Sequence, residues 1–410
     1  MQWEKVLAPR MGRMKASEIR ELLKLLDQPD IISFAGGIPD PALFPVAAFQ
    51  TALTNALAPG RAEAALQYSV SEGYLPLRQW LAGHMTGLGI PCDVDNILIT
   101  SGSQQALDYL GKLMIGANDT VLVNWPTYMG ALGAFNAYEP VYDRLDPRDN
   151  RGAAEYAARA AETGGRVKFA YLSVDFANPT GETIARADRE RVLDLATDLG
   201  AAVIEDAAYQ ALRFDGEAVP PILALEIARK DRTGGSIEDC RTIYCGSFSK
   251  TLAPGLRVGW VCAASAVIGR LVLMKQAADL HSSTLNQMAI AEVAATSFDA
   301  HVAGLRDVYR ARRDHMLAAL TREMPAGVAW TRPEGGMFVW ITLPEAMDGA
   351  DLLARSLETE RVAFVPGRAF FADGSGGNTI RLSFSRADPA AIDQGIRRLG
   401  ALIARELAKG

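Results

Sequence analysis

The order of apolar and polar positions predicts a sheet of parallel strands from about residue 95 onward. Short apolar runs such as NILIT (96–100), TVLVNW (120–125) and VKFAYLSV (167–174) each precede a longer stretch with helical periodicity. AAVIED and TIYCGS continue the series as two more buried strands. Strands that alternate with helices in this way form parallel sheets with helices on both faces. We therefore predict an α/β fold.

A polar cluster follows each of these five strands. SGSQQ comes after the first strand, WPTY after the second, NPTG after the third, DAAY after the fourth and SFSK after the fifth. Ligands of such sheets bind beyond the carboxyl ends of the strands. We expect the five loops to form one pocket.

The pattern changes after about residue 285. Two long helical stretches are followed by GGMFVWITL and NTIRLSFS, which alternate like strands of a sheet with one exposed face. The opening stretch EIRELLKLL (18–26) is amphipathic and stands apart. We predict an N-terminal arm over residues 1–45 that joins the small domain and covers the site, a large domain over 46–290 and a small C-terminal α+β domain over 291–410.

Composition narrows the possible partners. The chain is 49% hydrophobic and 22% charged, as is typical of a globular protein, and its net charge of −6 argues against a nucleic-acid partner. Its four cysteines include no C-x-x-C pair, so neither a disulfide framework nor a metal site is indicated. We find neither a signal peptide nor an apolar run long enough for a membrane span. We expect a cytoplasmic enzyme or regulator that acts on small molecules.

The segment GSFSKTLAPGLRVGW (246–260) contains a lysine for which three chemistries compete. A phosphate-binding P-loop needs glycine directly before Lys250, where Ser249 stands. A serine acyltransferase would use the S-x-x-K spacing from Ser247, but its K-T-G and S-D-N motifs are absent. The third hypothesis is a Schiff-base lysine that carries pyridoxal phosphate, with Ser247, Ser249 and Arg257 on the phosphate.

That hypothesis requires specific partners elsewhere in the chain. The pyridine nitrogen needs a buried carboxylate, and Asp206 at the end of AAVIED is placed to supply it, unless it only caps a turn. Tyr209 and Asn178 would donate to the phenolate oxygen, although Asn178 also suits a turn before Pro179. Tyr128 would stack on the ring or belong to the core.

The cofactor phosphate needs free N–H groups at the start of a helix. The run Ser101–Gly102–Ser103–Gln104 offers such a start directly after the first strand.

Together, SGSQQ, PTY, NPTGE, DAAY and SFSKTLAPGLRVGW resemble, in order and spacing, the fold-type-I pyridoxal-phosphate aminotransferases of class I/II. The resemblance covers essentially the whole chain. SFAGGIPD (33–40), LNQM (285–288) and RLSFS are similar to the 2-aminoadipate and kynurenine aminotransferase branch. The resemblance implies a three-layer, mostly parallel sheet with helices on both faces in the large, cofactor-binding domain, and a smaller α+β domain.

The resemblance also implies a role for individual residues. Lys250 would carry the cofactor, Asp206 would pair with the ring nitrogen, and Asn178 and Tyr209 would contact the phenolate oxygen. The phosphate would be bound by Ser103, Gln104, Ser247, Ser249 and Arg257, and the ring would stack on Tyr128. The substrate would be bound by Arg381, Asn178, Arg20 and Gly37, with Arg381 as a bidentate fork for the α-carboxylate.

Two further expected site residues, Tyr68 and Arg20, do not belong to the loops at the sheet edge. Tyr68 would cross a dimer interface to the partner's cofactor phosphate, so the protein would be a homodimer with shared active sites. Arg20 would lie over the site and meet a distal carboxylate, or would simply pair with Glu18 or Glu21 on a surface helix. One departure is Asn124, where the family commonly has an acidic residue.

The predicted function is a ping-pong transamination. The α-amino group of an L-amino acid of the aminoadipate, aromatic or branched type would pass to a 2-oxo acid such as 2-oxoglutarate. One alternative keeps pyridoxal phosphate but makes the protein a lyase, decarboxylase or amino-acid oxidase. Another is an aminotransferase-like transcription regulator, which needs a basic helix-turn-helix module, whereas the family pattern already begins by Ser33.

Overall fold

The computed structural model describes residues 5–14 and 30–409. Its strands are β1 Ile32–Ser33, β2 Ile97–Thr100, β3 Thr120–Val123, β4 Val141–Arg144, β5 Val167–Leu172, β6 Ala202–Asp206, β7 Thr242–Ser247, β8 Gly259–Cys262, β9 Ala329–Trp330, β10 Phe338–Thr342, β11 Val362–Ala363, β12 Val365–Pro366 and β13 Thr379–Ser383. Its α-helices are α1 Val46–Ala56, α2 Ala62–Leu66, α3 Leu75–Gly87, α4 Ser103–Met114, α5 Met129–Asn136, α6 Ala153–Glu162, α7 Arg186–Leu199, α8 Ile222–Asp231, α9 Ser265–Gln276, α10 Thr284–Glu323, α11 Gly349–Arg355 and α12 Pro389–Leu407.

The large sheet has seven strands in the order β2-β8-β7-β6-β5-β3-β4. Strand β8 runs antiparallel to β2 and β7, and the other neighbours are parallel. Successive side chains leave a strand on opposite faces: Val121 and Val123 pack with α4 and α5, whereas Leu122 packs with α6 and α7. Both faces are therefore covered, which confirms the predicted three-layer α/β class. The local pattern did not predict β4 and β8.

The smaller part of the chain contains a four-stranded antiparallel sheet and a two-stranded pair. The sheet order is β12-β13-β10-β9, and β1 pairs in parallel with β11. The expectation that β10 and β13 have an exposed face is wrong, because all of their residues except Thr342 are buried. One face packs on α10 and α12, and on the other Trp340 packs with Ala35 and Phe370.

One continuous helix joins the two cores. Helix α10 contributes residues 289–302 to the core that contains β2, β7 and β8, and residues 305–320 to the core that contains β10 and β13. The predicted boundary at residue 290 falls inside this helix, and the division into domains stays a prediction. The stretch 18–26 lies outside the described residues. Within the described ranges, no helix combines the length and apolar character needed to cross a membrane.

Candidate active site

A buried carboxylate lies at the carboxyl end of β6. Asp206 is 4% exposed; its Oδ2 accepts a hydrogen bond from the Tyr171 hydroxyl at 2.7 Å, and its Oδ1 accepts one from the Ala208 N–H at 3.3 Å. Burial raises the pKa of Asp206, while Tyr171, Ala208 and the charge of Lys250 act in the opposite direction. Asp206 forms no ion pair with any residue that the structure describes. A cationic ring nitrogen fits this environment because it would supply the missing partner.

Lys250 follows β7 and points toward the N-terminal segment. Its Nζ donates to the carbonyl oxygen of Gly37 at 2.9 Å and lies 5.7 Å from the centroid of the Tyr209 ring. Burial lowers the pKa of Lys250 to about 8, with help from the charges of Arg381 and Arg257 and against the charge of Asp206. The neutral fraction of the amine near physiological pH is therefore far larger than that of a solvated lysine, as a nucleophile or a base requires.

Arg381 on β13 places a buried cation close to Lys250 and Asp206. Its Nη1 donates to Asn178 Oδ1 at 2.7 Å and its Nη2 to the Ala35 carbonyl at 2.8 Å, while its Nε has no hydrogen-bond partner in the described chain. The guanidinium lies over the rings of Phe338 and Phe370. Burial lowers its pKa to about 10. Its acceptors are neutral oxygens, so a carboxylate would be its first anionic partner.

Gly37 leaves room for this arrangement. A Cβ at Gly37 would lie 2.8 Å from Phe338 Cζ and 3.6 Å from Arg381 Nη2. Any larger side chain would therefore displace Phe338 beside the guanidinium.

Tyr209 and Tyr128 complete the cluster around these charges. Burial raises the pKa of Tyr209 above the usual range, and its ring packs edge-on against Phe338. Burial also raises the pKa of Tyr128 to about 12, with Asp206 and Arg381 among the charges that act on it. Both phenols stay protonated at neutral pH, so they can donate hydrogen bonds.

The start of helix α4 forms the other end of the site. Gly102 precedes the helix with φ 82°, and a Cβ there would lie 2.4 Å from Arg257 Nη2. Ser103 and Gln104 open the helix, so their N–H groups have no acceptor inside it. The Gln104 side chain donates to the Gly130 carbonyl at 2.7 Å, which leaves its backbone N–H as the group free for an anion.

The β7–β8 connection brings further polar groups to this helix start. Ser247 Oγ accepts from the Ser249 N–H at 3.1 Å, and Arg257 Nη1 donates to the Pro254 carbonyl at 3.2 Å. A Cβ on Gly259 would lie 2.7 Å from the Ser103 nitrogen. The Arg257 guanidinium thus lies beside the two helical N–H groups in the manner of an anion site, and Ser247 and Ser249 belong to the segment that leads to Arg257.

Two predicted site residues are not part of this cluster. Tyr68 is 79% exposed, and its ring meets only that of His281 edge-on, at 6.1 Å between centroids, among the ring contacts of the described chain. Arg20 lies outside the described residues. Sequence reasoning missed Tyr171, the hydroxyl donor to Asp206; the signal for it was a lone tyrosine within the apolar run VKFAYL.

Comparison with known proteins agrees with this geometry. The family model described as aminotransferase class I and II matches residues 30–399. The chain belongs to this family. A 2-aminoadipate transaminase of Thermus thermophilus is 43% identical over 98% of this chain and 97% of its own length. An aromatic-amino-acid aminotransferase of Thermococcus litoralis is 41% identical over 100% of this chain and 96% of its own.

A solved structure extends the comparison to the fold. An α-aminoadipate aminotransferase of Thermus thermophilus, complexed with N-(5′-phosphopyridoxyl)-L-leucine, has a TM-score of 0.87 and 40% identity, with full coverage of both chains. The chain is thus a pyridoxal-phosphate-dependent aminotransferase of fold type I, as the motifs predicted. Its substrates are small molecules, namely amino acids and 2-oxo acids. The buried carboxylate, the lysine of lowered pKa and the anion site fit the cofactor at its ring, aldehyde and phosphate.

Proposed function

We propose that this aminotransferase acts on L-amino acids of the aminoadipate, aromatic or branched type, with a 2-oxo acid such as 2-oxoglutarate as acceptor. Two relatives support this range, one an aromatic-amino-acid aminotransferase and the other a 2-aminoadipate transaminase. The similar structure that holds N-(5′-phosphopyridoxyl)-L-leucine supports the branched type. The observation that carries the catalytic assignment is that Lys250, Asp206 and Arg381 converge at one buried place. None of the three forms an ion pair with a residue that the structure describes.

Each of the three convergent residues has its own proposed role in the reaction. Bound pyridoxal phosphate supplies an aldehyde that takes up the amino group and a conjugated ring that spreads negative charge. Arg381 binds and orients the substrate α-carboxylate. Lys250 would hold the cofactor and, as a neutral amine, would move the proton at the substrate Cα. Asp206 would keep a proton on the ring nitrogen.

The remaining polar residues hold the cofactor in place. Asn178 and Tyr209 would donate hydrogen bonds to the ring oxygen, and Tyr128 would stack on the ring. The phosphate would be bound by Ser103, Gln104, Ser247, Ser249 and Arg257. Gly37 and Arg20 stay the predicted remainder of the substrate pocket.

The proposed assembly is a homodimer with shared sites. The support is that Tyr68 is largely exposed and sits among other exposed apolar residues, Leu66, Val70 and Leu75, in the same stretch of chain. Such a patch on a folded chain is typical of an interface. A symmetric dimer would carry each Tyr68 to the partner's phosphate. The cytoplasmic location stays a prediction.

A half-reaction tests the catalytic assignment. The purified protein is mixed with single L-amino acids without an acceptor, and the imine absorbance band is followed. Lys250→Ala should abolish the conversion to the amine form, whereas Lys112→Ala, at an exposed lysine of α4, should leave it unchanged. Full turnover by Lys250→Ala would overturn the assignment. Continuous 2-oxo acid formation without an acceptor would indicate an oxidase instead.

A further inference from the structure

Lys275 is a buried cation to which the reaction assigns no role. It lies on α9 with no exposed surface. Its Nζ donates to Gln105 Oε1 at 2.9 Å, to Ser282 Oγ at 2.9 Å and to the Asp279 carboxylate at 3.0 and 3.1 Å. All three N–H groups of the ammonium are therefore used. Because the ammonium has no hydrogen-bond donor left for a ligand, we expect Lys275 to influence the site only by fixing the positions of Gln105, Asp279 and Ser282.

All three acceptors lead to Ser101. Gln105 Oε1 also accepts from the Ser101 N–H at 2.8 Å, and Asp279 Oδ2 accepts from Ser101 Oγ at 3.1 Å. The hydroxyls of Ser282 and Ser101 lie 3.0 Å apart. Both the backbone and the side chain of Ser101 are thus fixed around Lys275. Ser101 directly precedes Gly102 and the start of α4, where the phosphate is proposed to bind.

The same cluster continues toward the segment that carries Tyr68. The Ser282 carbonyl accepts from Gln287 Nε2 at 2.9 Å, and Gln287 Oε1 accepts from the Tyr74 N–H at 2.7 Å. Gln287 is buried, so these two bonds are shielded from water. Lys275 is therefore connected, through Ser282 and Gln287, to the chain that follows Tyr68.

We propose that Lys275 is a positioning residue for the cofactor phosphate. By holding Ser101, it keeps the N–H groups of Ser103 and Gln104 aimed at the anion. It also neutralises Asp279, whose charge would otherwise stand uncompensated beside the same loop. The proposal rests on the proposed assignment of the phosphate to the start of α4 and to Arg257.

Cofactor affinity with and without the phosphate tests this role. Dissociation constants of pyridoxal phosphate and of pyridoxal, which lacks the phosphate, are measured on the apoenzyme by absorbance or fluorescence. Lys275→Met should raise the constant for pyridoxal phosphate at least about tenfold and leave that for pyridoxal within about twofold. At saturating cofactor, kcat should stay within about threefold, because Lys275 touches neither substrate nor cofactor ring.

Arg313→Met is the matched control for lost stability. Arg313 is also buried, and it donates to the Pro333 carbonyl at 2.7 Å and to Asp215 at 2.5 Å, in the small-domain core away from the phosphate loop. The Arg313→Met variant should have a lower melting temperature and an unchanged affinity for pyridoxal phosphate. If Lys275→Met behaves like Arg313→Met, with only the melting temperature lowered, the proposal is overturned.

Two further variants keep the test decisive. Ser101→Ala removes the hydroxyl link alone and should weaken pyridoxal phosphate binding in the same direction, which decides the matter if Lys275→Met does not fold. Arg257→Gln tests the underlying phosphate site, and an unchanged affinity there would overturn that site. Loss of affinity in Arg257→Gln, combined with unchanged affinity in Lys275→Met and Ser101→Ala, would overturn the role of Lys275 alone.

Discussion

Arg381 donates from Nη1 to Asn178 Oδ1 over 2.7 Å, and this bond joins the four-stranded sheet to the loop after β5. It fixes the orientation of the amide, because the oxygen of Asn178 is engaged and the NH₂ group is left to donate elsewhere. The bond also leaves the charge of Arg381 unneutralised. Asn178 thus orients the guanidinium that is proposed to bind the substrate, and Asn178 is itself proposed to bind the cofactor ring.

Arg381→Lys should raise the KM for the amino-acid substrate roughly tenfold to a hundredfold. A lysine has no planar fork, so it loses one or more charged hydrogen bonds of about 1.5–3 kcal/mol each. Half-reaction rates against amino-acid concentration measure the effect. Arg368→Lys, at an exposed arginine that follows β12 and bonds Asp348, is the control and should not alter the KM. An unchanged KM in Arg381→Lys would show that the carboxylate binds elsewhere.

Tyr171→Phe should slow the half-reaction roughly tenfold. In the wild type, the Tyr171 hydroxyl donates to Asp206 Oδ2 and thereby lowers the pKa of Asp206. The substitution removes this hydrogen bond, so the pKa of Asp206 rises and the carboxylate pairs less strongly with the ring nitrogen. The rate is measured by stopped-flow absorbance, together with the pH dependence of the imine band. Tyr156→Phe, which removes a buried hydroxyl bonded to the Arg144 carbonyl, should leave both unchanged. Equal rates in the two variants would contradict the role of Tyr171.

Site residues were easiest to predict from the sequence where a reactive side chain directly follows a strand. Asp206 and Lys250 follow apolar runs directly, so their place at the sheet edge could be predicted from local pattern and parallel topology alone. Tyr171 could not, because its contact depends on the register between β5 and β6, in which it lies opposite Ile204. Register between separate strands is set by the packing of the whole sheet.

Strand direction and long-range contacts could not be predicted from the sequence for similar reasons. Strand β8 is as apolar as the parallel strands of the sheet, yet it runs antiparallel to both of its neighbours, β2 and β7. Lys275 sits in a helix whose periodicity does not distinguish a buried ammonium from a solvated one. Its partners Gln105 and Ser282 come from other elements, so only the folded chain brings them together.

Capture of pyridoxal phosphate by the apoenzyme should speed up with pH and level off near pH 8. Only the neutral amine of Lys250 attacks the aldehyde, and burial lowers the pKa of that amine to about 8. Below this value the neutral fraction grows about tenfold per pH unit, and above it the fraction is nearly constant. Stopped-flow absorbance of the imine band gives the rate. A profile that keeps rising to pH 10 would mean that the pKa of Lys250 is close to that of a solvated lysine.

Mixing two defective variants should restore activity if Tyr68 acts across the dimer. A Tyr68→Ala subunit keeps Lys250, and a Lys250→Ala subunit keeps Tyr68, so each hybrid dimer contains one complete site. Random exchange at equal amounts makes half of the dimers hybrids, so about a quarter of the wild-type site activity should return at limiting cofactor. The control mixes Lys250→Ala with wild type, which should only dilute activity. If Tyr68 served the site of its own chain, the mixture would show no gain over the average of the two variants.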